Sequence, residues 1–105
     1  MKILQILPSL DDGGVERGTV DSNRLYIAAG HESWVISAGG KRVAEIEHAG
    51  GHHVTLDVKS KNPLTAWPRA MALRRAIRQI RPDVIHFRSK TVEFALTHTD
   101  NYATT

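Results

Sequence analysis

Met1-Lys2-Ile3-Leu4-Gln5-Ile6-Leu7-Pro8, followed by Ser9-Leu10-Asp11-Asp12-Gly13-Gly14, is the stretch on which the fold turns. Ile3 to Leu7 is a compact apolar run with no polar alternation beyond Gln5, the pattern of a strand covered on both faces. Pro8 stops it, and the residues up to Gly14 read as a loop. Val15 to Ala29 then reads as a helix ended by Gly30. A buried strand followed directly by a helix is the opening of a parallel α/β unit.

The rest of the chain repeats the unit. Ser33 to Ser37 supplies a second strand, and Gly39-Gly40 breaks the chain. Arg42 to Ala49 follows as a short helix, ended by Gly50-Gly51. His53 to Val58 reads as a third strand. A long helix comes next, with Ala70, Leu73, Ile77 and Ile80 as an apolar stripe at helical spacing. Pro68 either starts that helix or kinks it, because proline has no backbone donor. Pro82 stops it, and Asp83 to Phe87 forms a fourth strand. The order β-α-β-α-β-α-β implies right-handed crossovers. The expected architecture is a Rossmann-like open parallel sheet of strand order 3-2-1-4 with helices on both faces. Residues 1–90 form one domain, and 91–105 read as an atypical tail, either strand or disordered. Val92, Phe94 and Leu96 alternate, so the tail is expected to supply a covering strand to its own sheet or to a partner's, and a homodimer formed by tail exchange or edge-to-edge pairing is expected.

The chain has 105 residues, enough for one small core. It has no cysteine, which excludes disulfides and thiolate chemistry within it. The first residues lack the long apolar region and small-residue cleavage site of a signal peptide. No segment reaches the roughly 20 apolar residues of a membrane span. A soluble, cytoplasmic protein is expected. Formal net charge is +3, and Arg69, Arg74, Arg75, Arg78 and Arg81 crowd one segment. Such a cluster either meets an anionic partner or forms a solvated helix face. An anionic membrane surface is retained as its partner and nucleic acid is not, which allows a peripheral position at the inner membrane.

In an open parallel sheet, ligands bind beyond the carboxyl ends of the strands, where the strand order reverses. That point falls between strands one and four. The candidates for substrate or phosphate binding are therefore Gly13, Gly14, Glu16 and Arg17 on one side, and His86, Arg88 and Ser89 on the other. Paired glycines let a ligand approach the backbone, and a following helix offers free N–H groups to an anion. A tight turn would explain the glycines equally well, and a packed core histidine would explain His86. A P-loop is excluded, since Gly14-Val15-Glu16-Arg17 lacks the Gly-Lys-Ser/Thr entry. A dinucleotide site is disfavoured, since Ser37-Ala38-Gly39 stands where an acidic residue should grip a ribose. No cofactor or metal is expected; His48, His52 and His53 lack a suitably spaced carboxylate.

Met1 to Pro8, then Gly13-Gly14-Val15-Glu16-Arg17-Gly18, then Ala29-Gly30-His31-Glu32 resembles the opening of glycosyltransferase family 4. Arg81-Pro82-Asp83-Val84-Ile85-His86-Phe87-Arg88-Ser89 is similar to that family's fourth strand and its exit. The resemblance implies the acceptor-side domain of a retaining GT-B enzyme of cell-surface glycan or lipopolysaccharide synthesis. It implies a nucleotide-sugar donor and a glycan or lipid-linked acceptor. A second, donor-binding domain would carry a spaced pair of glutamates; Glu16, Glu32, Glu45, Glu47 and Glu93 offer no such pair. The isolated chain is therefore expected to be inactive, and no catalytic residue is assigned. The sequence departs from the family at Asp21 to Tyr26, polar where an apolar helix face is usual, and at Pro68. Two other classes compete. One is a non-catalytic interaction module or truncated or artificial fragment. The other is a receiver-like phosphoacceptor built on Asp11, Asp12 and Asp57.

Overall fold

The computed structural model describes residues 1–60 and 62–88. Four strands, β1 (Lys2–Ile6), β2 (Glu32–Ser37), β3 (His52–Thr55) and β4 (Val84–Phe87), form one sheet. All neighbours are parallel and the order is β3-β2-β1-β4, as expected from the sequence. Three helices connect them: α1 (Gly14–Ala28), α2 (Val43–His48) and α3 (Ala66–Ile80).

Strand alternation sorts the core into two layers. Leu4, Ile6, Ile36 and Ile85 point to one face and pack on Leu73, Ile77 and Ile80 of α3. Leu7, Leu10 and Val35 belong to the opposite layer with Val20 of α1 and Ile46 of α2. Helices therefore cover both faces.

Several element ends shift by one residue from the expectation, and three differences have a reason in the contacts. α1 begins at Gly14 rather than Val15, which puts Gly14 inside the first turn. β3 is shorter: Leu56 N–H still donates to Ser37 O at 2.9 Å, but Val58 N–H turns back to Leu56 O and Asp57 Oδ1 accepts from Ser60 N–H. A short 3-10 turn, Pro63–Thr65, precedes α3, with Asn62 Oδ1 accepting from Leu64 N–H at 3.0 Å. α3 starts at Ala66, so Pro68 lies in its first turn, where no intrahelical donor is needed. Arg81, in left-handed geometry at φ 56, ends it ahead of Pro82.

The polar stretch of α1 also finds its reason. Asn23 is fully buried and its amide nitrogen donates to Ile46 O at 3.3 Å, joining α1 to α2. Its Oδ1 lies over Gly51, where a Cβ would come within 2.2 Å of it. The helices approach this closely only because position 51 is glycine. The tail, 91–105, and the tail exchange expected of it lie outside the described residues.

Candidate functional site

The strand order reverses between β1 and β4, so the β1–α1 loop and the exit of β4 share the carboxyl edge of the sheet. The loop is clamped. Ala38 N–H donates to Pro8 O, Leu10 N–H to Gly39 O and Arg42 N–H to Leu10 O, each at 2.9 Å. Leu10 is fully buried beneath these bonds. Gly40, at φ 146, lies so close that a Cβ there would meet Leu10 O at 2.4 Å. Arg42 Nε donates to Asp11 O at 2.9 Å, and Lys41 Nζ pairs with Asp12 Oδ2 at 2.5 Å. The lysine holds the Asp12 carboxyl below the usual carboxylate range, against a smaller opposing effect of burial. Of the acids that would serve a receiver reading, the Asp12 carboxylate thus braces a loop and the Asp57 carboxylate its turn, while Asp11 is held through its backbone carbonyl.

This clamp delivers the chain to α1 at a fixed angle. Gly13 is the N-cap residue, and it offers no side chain to the free amides. A helix start leaves the N–H groups of its first turn without intrahelical acceptors and with a partial positive charge. The Glu16 carboxylate folds back over Gly13, where a Cβ would sit 2.6 Å from Oε2. A Cβ on Gly14 would meet nothing within 4 Å. Gly14 is also absent from the positive-φ residues, so the fold itself does not require glycine there. Arg17 is exposed on the next position of the helix.

On the other side, Arg88 turns beneath α1. Its Nε and Nη2 donate to Gln5 Oε1 at 3.2 and 2.9 Å, and Nη2 also reaches Ser22 Oγ at 2.9 Å. Gln5 is fully buried, and its Nε2 donates to Thr19 O at 3.2 Å. Arg88 Nη1 also lies 3.8 Å from where a Cβ on Gly18 would be. His86 pairs in register with Gln5 across β1 and β4. Its Nδ1 is buried without a hydrogen-bond partner. Burial, and secondarily the Arg88 charge, hold its pKa below the ordinary imidazole value. Ser89 lies outside the described residues.

The structure therefore groups Gly13, Gly14 and Glu16 at the mouth of the edge, and His86 with Arg88 along the inner flank of α1. Sequence reading missed Gln5, Gly18 and Ser22. One signal for Gln5 was available: it is the single polar residue inside a strand otherwise apolar from Ile3 to Leu7. Two other histidines, His52 and His53, lie on β3 at the far edge. His53 Nε2 lies 2.6 Å from Ser37 Oγ, and the His52 ring stacks on Trp34 with centroids 4.4 Å apart.

The sequence model described as Glycosyltransferase Family 4 matches residues 12–98. Among solved structures, a glycosyltransferase from Rickettsia africae ESF-5 is 31% identical and superposes with a TM-score of 0.81. The alignment covers 98% of this chain and 28% of that one, so the chain spans under a third of that relative's length. A universal stress protein from Archaeoglobus fulgidus, 15% identical, covers 99% of this chain and 90% of its own with a TM-score of 0.54, which speaks for the fold alone. No curated protein matches.

Proposed function

The chain belongs to glycosyltransferase family 4, and from that premise we propose that it forms the acceptor-side half of a retaining, nucleotide-sugar-dependent glycosyltransferase. The acceptor in this reading is a growing cell-surface glycan or lipopolysaccharide intermediate, presented at the cytoplasmic face of a membrane. Of the cluster Arg69, Arg74, Arg75, Arg78 and Arg81, the exposed Arg75, Arg78 and Arg81 supply the basic surface that faces that membrane. Donor binding falls largely to a second domain closing on the carboxyl edge. Pairing through β4, at the sheet edge among the described residues, would make the assembly a homodimer.

One observation carries the reading. Gly14 stands at a helix start with nothing within 4 Å of its missing side chain, at the end of a loop held rigidly in place. A glycine that the fold does not need leaves room for something outside the fold. The free amides of Gly14, Val15 and Glu16 are suited to a phosphate or a sugar hydroxyl. Glu16, whose carboxylate folds over Gly13, can accept a hydrogen bond from an acceptor hydroxyl. Arg17 adds positive charge beside it. His86, neutral near pH 7, and Arg88 shape the inner wall, and Ser89, next in sequence, is retained as a candidate contact.

With the donor grip placed in another domain, the 105-residue polypeptide by itself transfers no sugar and binds nucleotide sugars no more tightly than about the millimolar range. Calorimetry with UDP- and GDP-sugars tests this. Micromolar binding would overturn the division of labour.

A further inference from the structure

The basic residues are segregated in the sequence. Residues 59–82 hold seven of the chain's 14 Lys and Arg and none of its 11 Asp and Glu. The remainder is net negative, so the positive field belongs to one element: the turn after β3 and α3. The same element carries the two most exposed large apolar side chains of the described residues, Leu64 at 89% and Trp67 at 68%, the latter level with Leu25 of α1.

These two side chains stand on a fixed platform. Asn62 caps the 3-10 turn. Arg69 does not face solvent freely: its guanidinium donates to Ser60 O, to Asn62 O at 2.5 Å and to Thr65 Oγ1 at 3.0 Å, tying the turn to the helix. Arg74 lies over the Trp67 ring, 6.0 Å from its centroid. At 3.6 residues per turn, Trp67, Met71, Arg74 and Arg78 fall on one helix face. Arg75, Arg78 and Arg81 are exposed along it, away from the buried stripe Leu73, Ile77 and Ile80.

We propose that this face docks on an anionic lipid bilayer, with Leu64 and Trp67 entering the interfacial layer and Lys59, Arg75, Arg78 and Arg81 meeting lipid phosphates. The idea deepens the membrane reading of the arginine cluster and rests on it, but does not depend on sugar transfer. Charge complementarity selects an anionic surface. The exposed indole and leucine select a bilayer over a nucleic acid, because tryptophan settles at the lipid–water interface and a phosphodiester backbone gives leucine no apolar phase. Preordering by Asn62 and Arg69 removes the conformational cost of presenting the two side chains. The element leads out of β3, so the turn lies at the carboxyl end of the sheet, the same end as Gly13-Gly14. A lipid-linked ligand held in that membrane would reach the loop without leaving the bilayer surface.

Cosedimentation of the 105-residue chain with vesicles of equal phosphatidylglycerol and phosphatidylcholine, and of phosphatidylcholine alone, tests the proposal. Binding is expected only to the anionic vesicles and weakens with salt. Arg75→Gln/Arg78→Gln should weaken it about 25-fold, at about fivefold for each basic residue near the surface. Leu64→Gln/Trp67→Gln should weaken it at least about tenfold, with circular dichroism unchanged because both side chains are exposed. In a Trp34→Phe background, Trp67 emission should shift to the blue on binding. If the Leu64/Trp67 variant binds as tightly as the parent while the arginine variant does not, the apolar anchor is refuted and the arginine surface stands. If no vesicle is bound, or only duplex DNA is, both are refuted.

Discussion

Exchanging Arg88 for methionine removes three hydrogen bonds that join the exit of β4 to β1 and α1. Methionine keeps much of the volume, so the loss is mainly polar. The cost arises from what stays behind: Gln5 Oε1, fully buried, is left with no donor. An orphaned buried acceptor costs about 1–3 kcal/mol. We expect about 2 kcal/mol, which for a domain of this size lowers the melting temperature on the order of 10 °C. Gln5→Met strands the guanidinium with Ser22 alone, and costs somewhat less because Arg88 is only half-buried and water can reach it. The double variant removes donor and acceptor together. Its cost should fall short of the summed single costs by about 1–2 kcal/mol, the coupling of a contacting pair. Urea unfolding of the four proteins measures this. Additivity within about 0.5 kcal/mol would refute the claim that Gln5 and Arg88 act as one unit.

Two other outcomes follow from the same geometry. Gly40→Ala forces a Cβ to within 2.4 Å of Leu10 O at a φ of 146, and should destabilise the chain by on the order of 2–5 kcal/mol; a neutral effect in thermal unfolding would show that the loops are not clamped. His53 and His86 both have pKa values lowered by burial, helped at His86 by Arg88 and opposed at His53 by Glu47. The unfolded chain then takes up protons first, so stability is full above about pH 6.5 and declines as the pH falls below it. Urea midpoints should drop between about pH 7.5 and 5.5, and His86→Gln should flatten part of the slope; equal midpoints in the parent chain would contradict the assignment.

The sheet was legible because its signals are local. Apolar runs at Ile3 to Leu7, Trp34 to Ile36 and Val84 to Phe87, each bounded by Gly or Pro, leave few topologies. What stayed hidden depends on contacts between distant residues. Asn23 and Gly51 are 28 positions apart, and their fit explains a polar residue on α1 that family pattern alone makes an anomaly. Arg88 reads as a cleft residue from its place after β4, and only the packing shows its guanidinium turned under α1 toward Gln5. The arginines of α3 look alike in sequence. Arg69 braces a turn and Arg74 covers Trp67, whereas Arg75, Arg78 and Arg81 are exposed. Of the candidate site, position was legible from topology, and the emptiness beside Gly14 was not.

The anion site at the start of α1 is the central claim, and backbone amide NMR tests it most directly. Titration with inorganic phosphate and with UDP should move the Gly14, Val15 and Glu16 resonances together, with dissociation constants in about the millimolar range. Gly14→Val should abolish these shifts while leaving the melting temperature unchanged or slightly higher, since the space around Gly14 is open. Shifts that persist in Gly14→Val, no shifts in the parent chain, or unfolding of the variant would contradict it.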